Sequence, residues 1–164
     1  MRDVEIRADA ADGAEVGFDA LGRGDIRAAD FRVGAIGRCI RIRDRVDRYF
    51  AAWRALDPTA WTACFAADAV SHEPYGATPV QGHAALKTVF HAIAGALREV
   101  TIHAQEMHIA HNRAAVVFHG QGIGKNGKPV EVHGIDVFEF NEAGTIQTLW
   151  AYWDPATVLA KLRG

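Results

Sequence analysis

Four segments after residue 98 alternate apolar and polar residues, and this alternation constrains the fold more than any other feature of the chain. Side chains on a β-strand point alternately to the two faces, so a period of two predicts half-buried strands. Short connections separate the segments, and those around Asn126-Gly127 and over 141–144 have the composition of hairpin turns. The sequence therefore predicts an antiparallel meander with strands near 99–110, 113–123, 129–141 and 145–154.

The third of these predicted strands carries an acid on its apolar face. Asp136 alternates in phase with Val132, Phe138 and Phe140. An ionised carboxylate is costly to bury, so an inward Asp136 either has a partner or keeps its proton through a raised pKa. A neutral carboxylic acid can donate a hydrogen bond to a ligand. The alternatives are a slip in register, a bulge that turns Asp136 outward, or a purely structural hydrogen bond.

The composition narrows the class of protein. The chain has 164 residues, of which 49% are apolar and 23% charged, as expected for one soluble domain. Its net charge of −2 argues against a nucleic-acid partner, and no apolar run is long enough for a membrane span. The N-terminus lacks the apolar core of a signal peptide, and Cys39 and Cys64 form no disulfide framework. We therefore expect a reduced, cytoplasmic protein.

The chain before residue 98 is predicted to be mainly helical. Apolar residues recur at helical spacing from Ile42 to Leu56, and Tyr49 lies on the apolar stripe. Asp57-Pro58 is typical of an N-cap followed by proline in the first turn of a second helix. The remaining predicted elements are a strand over 69–72, a loop that includes Glu73, a helix over about 82–97 and a C-terminal helix over 155–162.

The predicted elements make an α+β domain. Residues 1–38 are rich in Ala, Gly, Asp and Arg without a sustained period, so we interpret them as a weakly ordered extension and 39–164 as the domain. A curved antiparallel sheet wrapped around the N-terminal helices would enclose a largely apolar pocket that opens at one end. The polar residues expected to face into this pocket are Tyr49, Glu73 and Asp136.

The order of these residues resembles that of a known family. From Val46 to about Pro155 the chain resembles the ketosteroid isomerases of the nuclear-transport-factor-2-like (SnoaL-like) superfamily. Three segments carry the resemblance: Asp47-Arg48-Tyr49, residues 65–76 around Glu73-Pro74, and the hairpin from Ile135-Asp136-Val137 to Ala151-Tyr152-Trp153.

The resemblance implies a role for each inward polar residue. Tyr49 and a protonated Asp136 would donate hydrogen bonds to the oxygen of a dienolate, as the matching residues do in the ketosteroid isomerases, and Glu73 would carry the proton. Such a site moves a double bond into conjugation with a ketone and needs no metal or organic cofactor. The resemblance also implies a cone-shaped pocket, a small hydrophobic ketone or steroid-like ligand, and a homodimer. Aromatic residues could line the pocket or form the core. The candidates for ligand binding are Trp53, Phe90, Phe118, Phe138 and Trp150.

The sequence departs from the family pattern at two positions. The usual base is an aspartate before proline, whereas Glu73 precedes Pro74 here. The extra methylene moves the carboxylate by about 1 Å, and a misplacement of that size can cost about 100-fold in rate. Phe90 stands where a tyrosine supports the oxyanion tyrosine in part of the family. Both departures leave open acid–base chemistry on an enolisable ligand other than a steroid.

Three functions therefore remain compatible with the sequence. The first is a ketosteroid-isomerase-like enzyme, the second a SnoaL-like polyketide cyclase or dehydratase, and the third a ligand-binding module that dimerises without turnover. Epoxide hydrolysis on this fold needs an inward arginine, and the predicted strands offer none. No metal is predicted, because the histidines of the sheet region lack a recognised ligand spacing along the chain. These histidines are His103, His108, His111, His119 and His133.

Overall fold

The computed structural model describes residues 28–163 and contains four helices and six strands within that range. Helix α1 begins at Ala28, so it crosses the boundary expected at residue 39, and residues 1–27 of the expected extension lie outside the described residues. No helix in this range is both long and apolar enough to cross a membrane. The elements are α1 (Ala28–Arg54), α2 (Pro58–Thr62), β1 (Phe65–His72), β2 (Val80–Gln81), α3 (Gly82–Ala94), β3 (Leu97–Ala110), β4 (Arg113–Gly124), β5 (Pro129–Phe140), β6 (Ile146–Trp153) and α4 (Pro155–Arg163).

The six strands form one open sheet in the order β2-β1-β6-β5-β4-β3. Strands β3 to β6 are the predicted antiparallel meander, joined by short turns. The sheet as a whole is mixed, because β1 pairs parallel to β6 and the short β2 pairs antiparallel to β1. After β2 and α3, the meander starts at β3 and runs back across the sheet towards β1. Its last strand, β6, therefore lies beside β1 and completes the sheet.

Local sequence explains where the N-terminal elements begin. The Asp57 carboxylate accepts hydrogen bonds from the backbone N–H groups of Thr59 and Ala60 at 2.8 and 3.0 Å, which confirms the predicted N-cap of α2. Pro58 occupies the first turn, where its missing N–H costs nothing. This cap turns the chain sharply after α1 and brings Trp61 into the core.

The helices cover one face of the sheet, which we call the inner face. Helix α1 packs against β3, and α3 packs against β1. The alternation predicted along β5 is confirmed, since Asp136 and Phe138 are buried on the inner face whereas Ile135 is 44% exposed on the outer face. Asp136 pairs with Val116 on β4 and with Ala151 on β6, both of which are buried. A continuous register on both sides excludes a bulge at Asp136 itself.

Candidate active site

A cavity of about 70 Å³ lies between α1, the inner face of the sheet and α4. Four of its lining residues have polar side chains other than indole: Tyr49, Glu73, Gln121 and Asp136. The structure thus brings the three polar residues of the sequence analysis to one cavity, although they come from α1, the loop after β1 and β5. The apolar side chains and glycines of this lining are Phe50, Trp53, Ile93, Leu97, Val100, Ile102, Phe118, Gly120, Gly122, Val130, Val132, Trp153, Val158 and Leu162.

Asp136 lies in the middle of β5 and is 3% exposed. Burial raises the pKa of its carboxyl group well above the usual range, and the carboxylate of Glu73 raises it further. The nearby hydroxyl of Tyr49 acts in the opposite direction but is the smallest of the three effects. The environment therefore favours the protonated form of Asp136, which can donate a hydrogen bond into the cavity.

Tyr49 projects from α1 into a cage of aromatic rings. Its ring meets that of Phe138 edge to face at a centroid distance of 5.1 Å, and the residue is 1% exposed. Burial raises the pKa of its phenol well above the usual value, and the charges of Asp136 and Glu73 raise it further. The phenol is thus held as a neutral donor, positioned by packing rather than by the sheet. The other rings around it are those of Phe50, Trp61 and Phe65.

Glu73 lies in the loop that follows β1. The residue is half-buried, yet its Oε2 oxygen is fully buried and receives no hydrogen bond from any residue within 28–163. Burial raises the pKa of this carboxyl group to about 7. A carboxyl group with a pKa near neutrality can both accept and return a proton, which is what a proton shuttle requires.

Two tryptophans lie beside the Tyr49 phenol, and the sequence analysis did not assign them this position. Their indole groups come from Trp53 and Trp61, and that of Trp53 lowers the pKa of Tyr49 against the larger effect of burial. The Trp61 Nε1 group is buried and has no acceptor in the described part of the chain. Phe90 packs on both indoles, with centroid distances of 4.3 and 5.1 Å. The sequence signal that indicates the position of Trp53 beside Tyr49 is their four-residue spacing on one helix, which places both side chains on the same face.

The aromatic residues predicted to bind a ligand divide into two groups. Trp53 and Phe118 line the cavity, and their binding of a ligand stays a prediction. Phe90 and Phe138 are fully buried in the packed core and are not among the described residues that line the cavity, so the structure does not bring them to the three polar candidates. Phe138 packs edge to face on Tyr49, and Phe90 packs on Trp61.

Trp150 is also not a lining residue, because it points to the outer face. Its neighbours on β6, Leu149 and Ala151, are buried on the inner face, so alternation turns Trp150 away from the cavity. There it stacks on His72 with a centroid distance of 5.9 Å and an interplanar angle of 10°. Trp150 therefore lies outside the cavity, and its stacking partner His72 is partly exposed.

Much of the cavity wall consists of residues that the sequence analysis did not single out. Val158 and Leu162 on α4 close one side, so the C-terminal helix is part of the pocket. Gly120 keeps the opposite side open. A Cβ atom at this position would lie 3.0 Å from Val132 Cγ1 and 3.1 Å from Ile102 Cγ1. Any larger residue at Gly120 would crowd the cavity.

Comparisons with known proteins agree with this architecture. Residues 46–148 match the family model described as a SnoaL-like domain. The chain is 30% identical over 118 residues to the steroid Delta-isomerase of Nocardioides simplex, and the match covers 72% of this chain and 94% of that protein. The match therefore spans nearly the whole of a curated relative.

Solved structures with lower identity share the fold. The epoxide hydrolase/cyclase-like enzyme SalBIII, of pyran ring formation in the polyether salinomycin, is 23% identical and aligns with a TM-score of 0.64 over 71% of this chain and 93% of its own. A protein from Mycobacterium tuberculosis is 21% identical with the same TM-score and coverage. A computationally designed 17-OHP binder is 22% identical, with a TM-score of 0.63 over 71% of this chain and 95% of its own.

Proposed function

The chain belongs to the SnoaL-like domain family, and we propose that it is an isomerase that moves a carbon–carbon double bond into conjugation with a ketone. One observation carries the proposal. The Glu73 carboxyl has a pKa of about 7, has a buried Oε2 oxygen without a hydrogen bond from residues 28–163, and lines the same cavity as the neutral donors Tyr49 and Asp136. These are the groups that proton transfer through a dienolate requires.

The proposed reaction has two proton transfers. The Glu73 carboxylate removes the α-proton between the ketone and the isolated double bond, and the electron pair of the C–H bond shifts to give a dienolate. The Tyr49 hydroxyl and the Asp136 carboxylic acid donate hydrogen bonds to the dienolate oxygen, where negative charge develops. Protonated Glu73 then returns its proton to the γ-carbon, which yields the conjugated enone and restores the carboxylate.

The cavity supports a small, largely apolar substrate. Its volume of about 70 Å³ is below the roughly 300–1,000 Å³ typical of pockets for drug-sized ligands. A steroid would therefore fit only after outward movement of lining side chains. The part of the cavity wall available for this movement is formed by Val158 and Leu162 on α4. We propose that compact β,γ-unsaturated ketones are better substrates than steroids.

The side chains around the cavity argue against epoxide hydrolysis by an Asp-Arg-Asp arrangement. Among the described residues that line the cavity, none is an arginine. A polyketide cyclase or dehydratase would use the same acid–base groups. The replacement of the family's aspartate by Glu73 moves the base, which favours an enolisable ketone with a shape different from that of a steroid. Isomerisation remains the proposal because it needs only the three groups named above.

We also propose that two copies associate through the outer face of the sheet. Ile135 and Tyr152 are 44% and 43% exposed on neighbouring strands of this face, and Tyr75 stacks on Tyr152 at a centroid distance of 4.8 Å. A dimer would cover these apolar groups. Light scattering on wild type and on Ile135→Glu tests the association, and equal monomer masses for both proteins would reject it.

The decisive assay follows the ultraviolet absorbance of conjugated enone formation. Its substrates are a 5-ene-3-ketosteroid and the compact ketone 3-cyclohexenone. We expect wild type to convert the compact ketone, and Asp136→Ala and Glu73→Gln each to lose at least about 100-fold in kcat/KM. Glu139→Gln is the matched control, because Glu139 lies three residues after Asp136 on the outer face. Folded wild type that converts neither substrate would reject isomerisation and leave ligand binding without turnover.

A further inference from the structure

Three histidines lie in one row across the outer face of the sheet. His103 on β3 is directly opposite His119 on β4, and His119 is directly opposite His133 on β5. Directly opposed residues point to the same face of a sheet, with Cβ atoms about 5 Å apart. The row therefore places imidazoles side by side on neighbouring strands, on the face that points away from the candidate active site.

Glu131 adds a carboxylate to this row. It precedes His133 by two residues on β5 and so shares its face. The Oε1 atom of Glu131 lies 2.8 Å from His119 Nε2 and 3.5 Å from His133 Nε2. The two imidazole rings stack with a centroid distance of 4.6 Å and an interplanar angle of 15°. One ligand atom from each of the three side chains lies within 4.8 Å of the other two.

We propose that His119, Glu131 and His133 form a binding site for a divalent transition-metal ion of the Zn²⁺ class. Zinc binds imidazole nitrogen and carboxylate oxygen at about 2.0–2.2 Å, and a tetrahedral arrangement separates such ligand atoms by about 3.3 Å. The two nitrogen–oxygen distances, 2.8 and 3.5 Å, lie on either side of that value. Small side-chain rotations therefore suffice to place one ion between the three ligands.

The surroundings favour an accessible site. In a single chain the side chains of His119, Glu131 and His133 are 27%, 48% and 69% exposed, so an ion can enter the monomer without opening the fold, and its fourth coordination position is open to water there. Two imidazoles with one carboxylate favour Zn²⁺, Ni²⁺ or Cu²⁺ over Mg²⁺ and Ca²⁺, which prefer all-oxygen ligands. The bound ion would tie β4 to β5.

The spacing of the ligands along the chain did not predict this site. His119 and His133 are separated by a hairpin, and only the register of β4 against β5 places them side by side. The absence of a metal was predicted from linear spacing alone, whereas cross-strand pairs form sites that no short motif describes.

The test is calorimetric titration of untagged, chelator-treated protein with ZnCl₂, with thermal unfolding in parallel. We expect one ion per chain and a rise in Tm with Zn²⁺ that excess EDTA reverses, whereas MgCl₂ gives no change. His119→Gln, His133→Gln and Glu131→Gln should each weaken Zn²⁺ affinity by at least about tenfold. His91→Gln, on an exposed position of α3, is the control and should bind like wild type.

Two results would overturn the site. One is wild type that shows neither heat nor a Tm shift with Zn²⁺ up to millimolar concentration. The other is unchanged Zn²⁺ affinity in both His119→Gln and His133→Gln, which would place the ion elsewhere on the protein. Far-ultraviolet circular dichroism of each variant at matched concentration verifies that it is folded, as expected for substitutions of exposed side chains.

Discussion

Strand β5 carries carboxyl groups on both of its faces, and the two environments shift their pKa values in opposite directions. Asp136 faces the cavity, where burial, with an added contribution from the charge of Glu73, raises its pKa well above the usual range. Glu131 faces solvent, where the hydrogen bond from His119 is the largest effect and lowers its pKa. The two residues are five positions apart on one strand, and an odd spacing places side chains on opposite faces of the sheet. Asp136 therefore lies in the protein interior and Glu131 at the surface.

On β5, the protonation state of a carboxyl group is therefore determined more by the face of the sheet on which it lies than by whether it belongs to an aspartate or a glutamate. On the inner face an acid is stabilised as a neutral hydrogen-bond donor, which suits a developing oxyanion. On the outer face an acid is stabilised as an anion beside imidazoles, which suits a cation. The same substitution made on the two faces should therefore have unequal consequences.

The largest difference is expected when a lysine is placed on each face. Asp136→Lys buries an ammonium group without a partner and should lower the free energy of unfolding by about 3–5 kcal/mol. Glu139→Lys, on the outer face of the same strand, loses an exposed contact with Arg113 and should cost less than about 1 kcal/mol. Urea unfolding of both variants measures the difference. Similar midpoints would mean that Asp136 is hydrated and that the inner face is not apolar at this point.

The next largest effect concerns catalysis and compares two tyrosines. Tyr49→Phe removes a buried donor to the proposed dienolate and should lower kcat/KM for the enone assay by roughly 10²–10³-fold. Tyr152→Phe removes a hydroxyl from the outer face, where Tyr152 is 43% exposed, and should leave kcat/KM within about twofold. Equal activity of Tyr49→Phe and wild type would remove Tyr49 from the proposed oxyanion site.

Features that depend on one strand or one turn could be predicted from the sequence. The inward orientation of Asp136 follows from alternation within β5, and the strands of the meander follow from turn residues such as Gly127 and Gly144, both of which have positive φ. The N-cap at Asp57 depends only on the next three residues. Tyr49 followed from the helical spacing of α1 and Glu73 from the loop after the first strand, and the resemblance to the ketosteroid isomerases implied their roles.

Features that depend on pairing between distant segments could not be predicted. The parallel pairing of β1 with β6 depends on where the meander ends in space. The wall formed by Val158 and Leu162 depends on how α4 docks, and hydrophobic spacing along a short helix does not specify its partner. Trp150 is different, because alternation with Leu149 and Ala151 on its own strand already places it outside the pocket. The sequence therefore predicted which face of the sheet a residue lies on better than it predicted which distant segments pack together.

A third test uses pH to separate the buried carboxyl of Glu73 from exposed acids. The pKa of Glu73 is raised from 4.5 to about 7 by folding, so the folded state retains a proton that the unfolded state has lost between these values. Stability should therefore fall as pH rises from 4.5 to about 7, by up to about 3 kcal/mol in total. Glu73→Gln removes this loss and should be more stable than wild type at pH 8 but not at pH 4. Urea unfolding at both pH values measures the difference, with Glu139→Gln on the outer face as the control.

The same ionisation sets the expected pH dependence of activity. The base form of Glu73 accumulates as pH rises through about 7, so kcat/KM of wild type should rise over that range and then level off. The outer-face control Glu139→Gln should keep this profile. A profile that is flat between pH 5 and 9 would contradict a base with the pKa of Glu73, even if the enzyme is active.

The smallest effect is expected at the outer face, for Glu131 in the absence of metal. Its lowered pKa means that the ionised form stabilises the folded state above pH 4.5, and that this contribution is lost as pH falls through the folded-state value. With EDTA present, Glu131→Gln should therefore lower the Tm slightly at pH 6 and leave it unchanged near pH 2. Because the carboxylate is exposed, 1 M salt, with a Debye length of about 3 Å, should abolish even the difference at pH 6. A decrease that persists in 1 M salt would show that Glu131 is held by packing, as Asp136 is, and not by charge. The contrast between the inner and outer faces would then be wrong for Glu131.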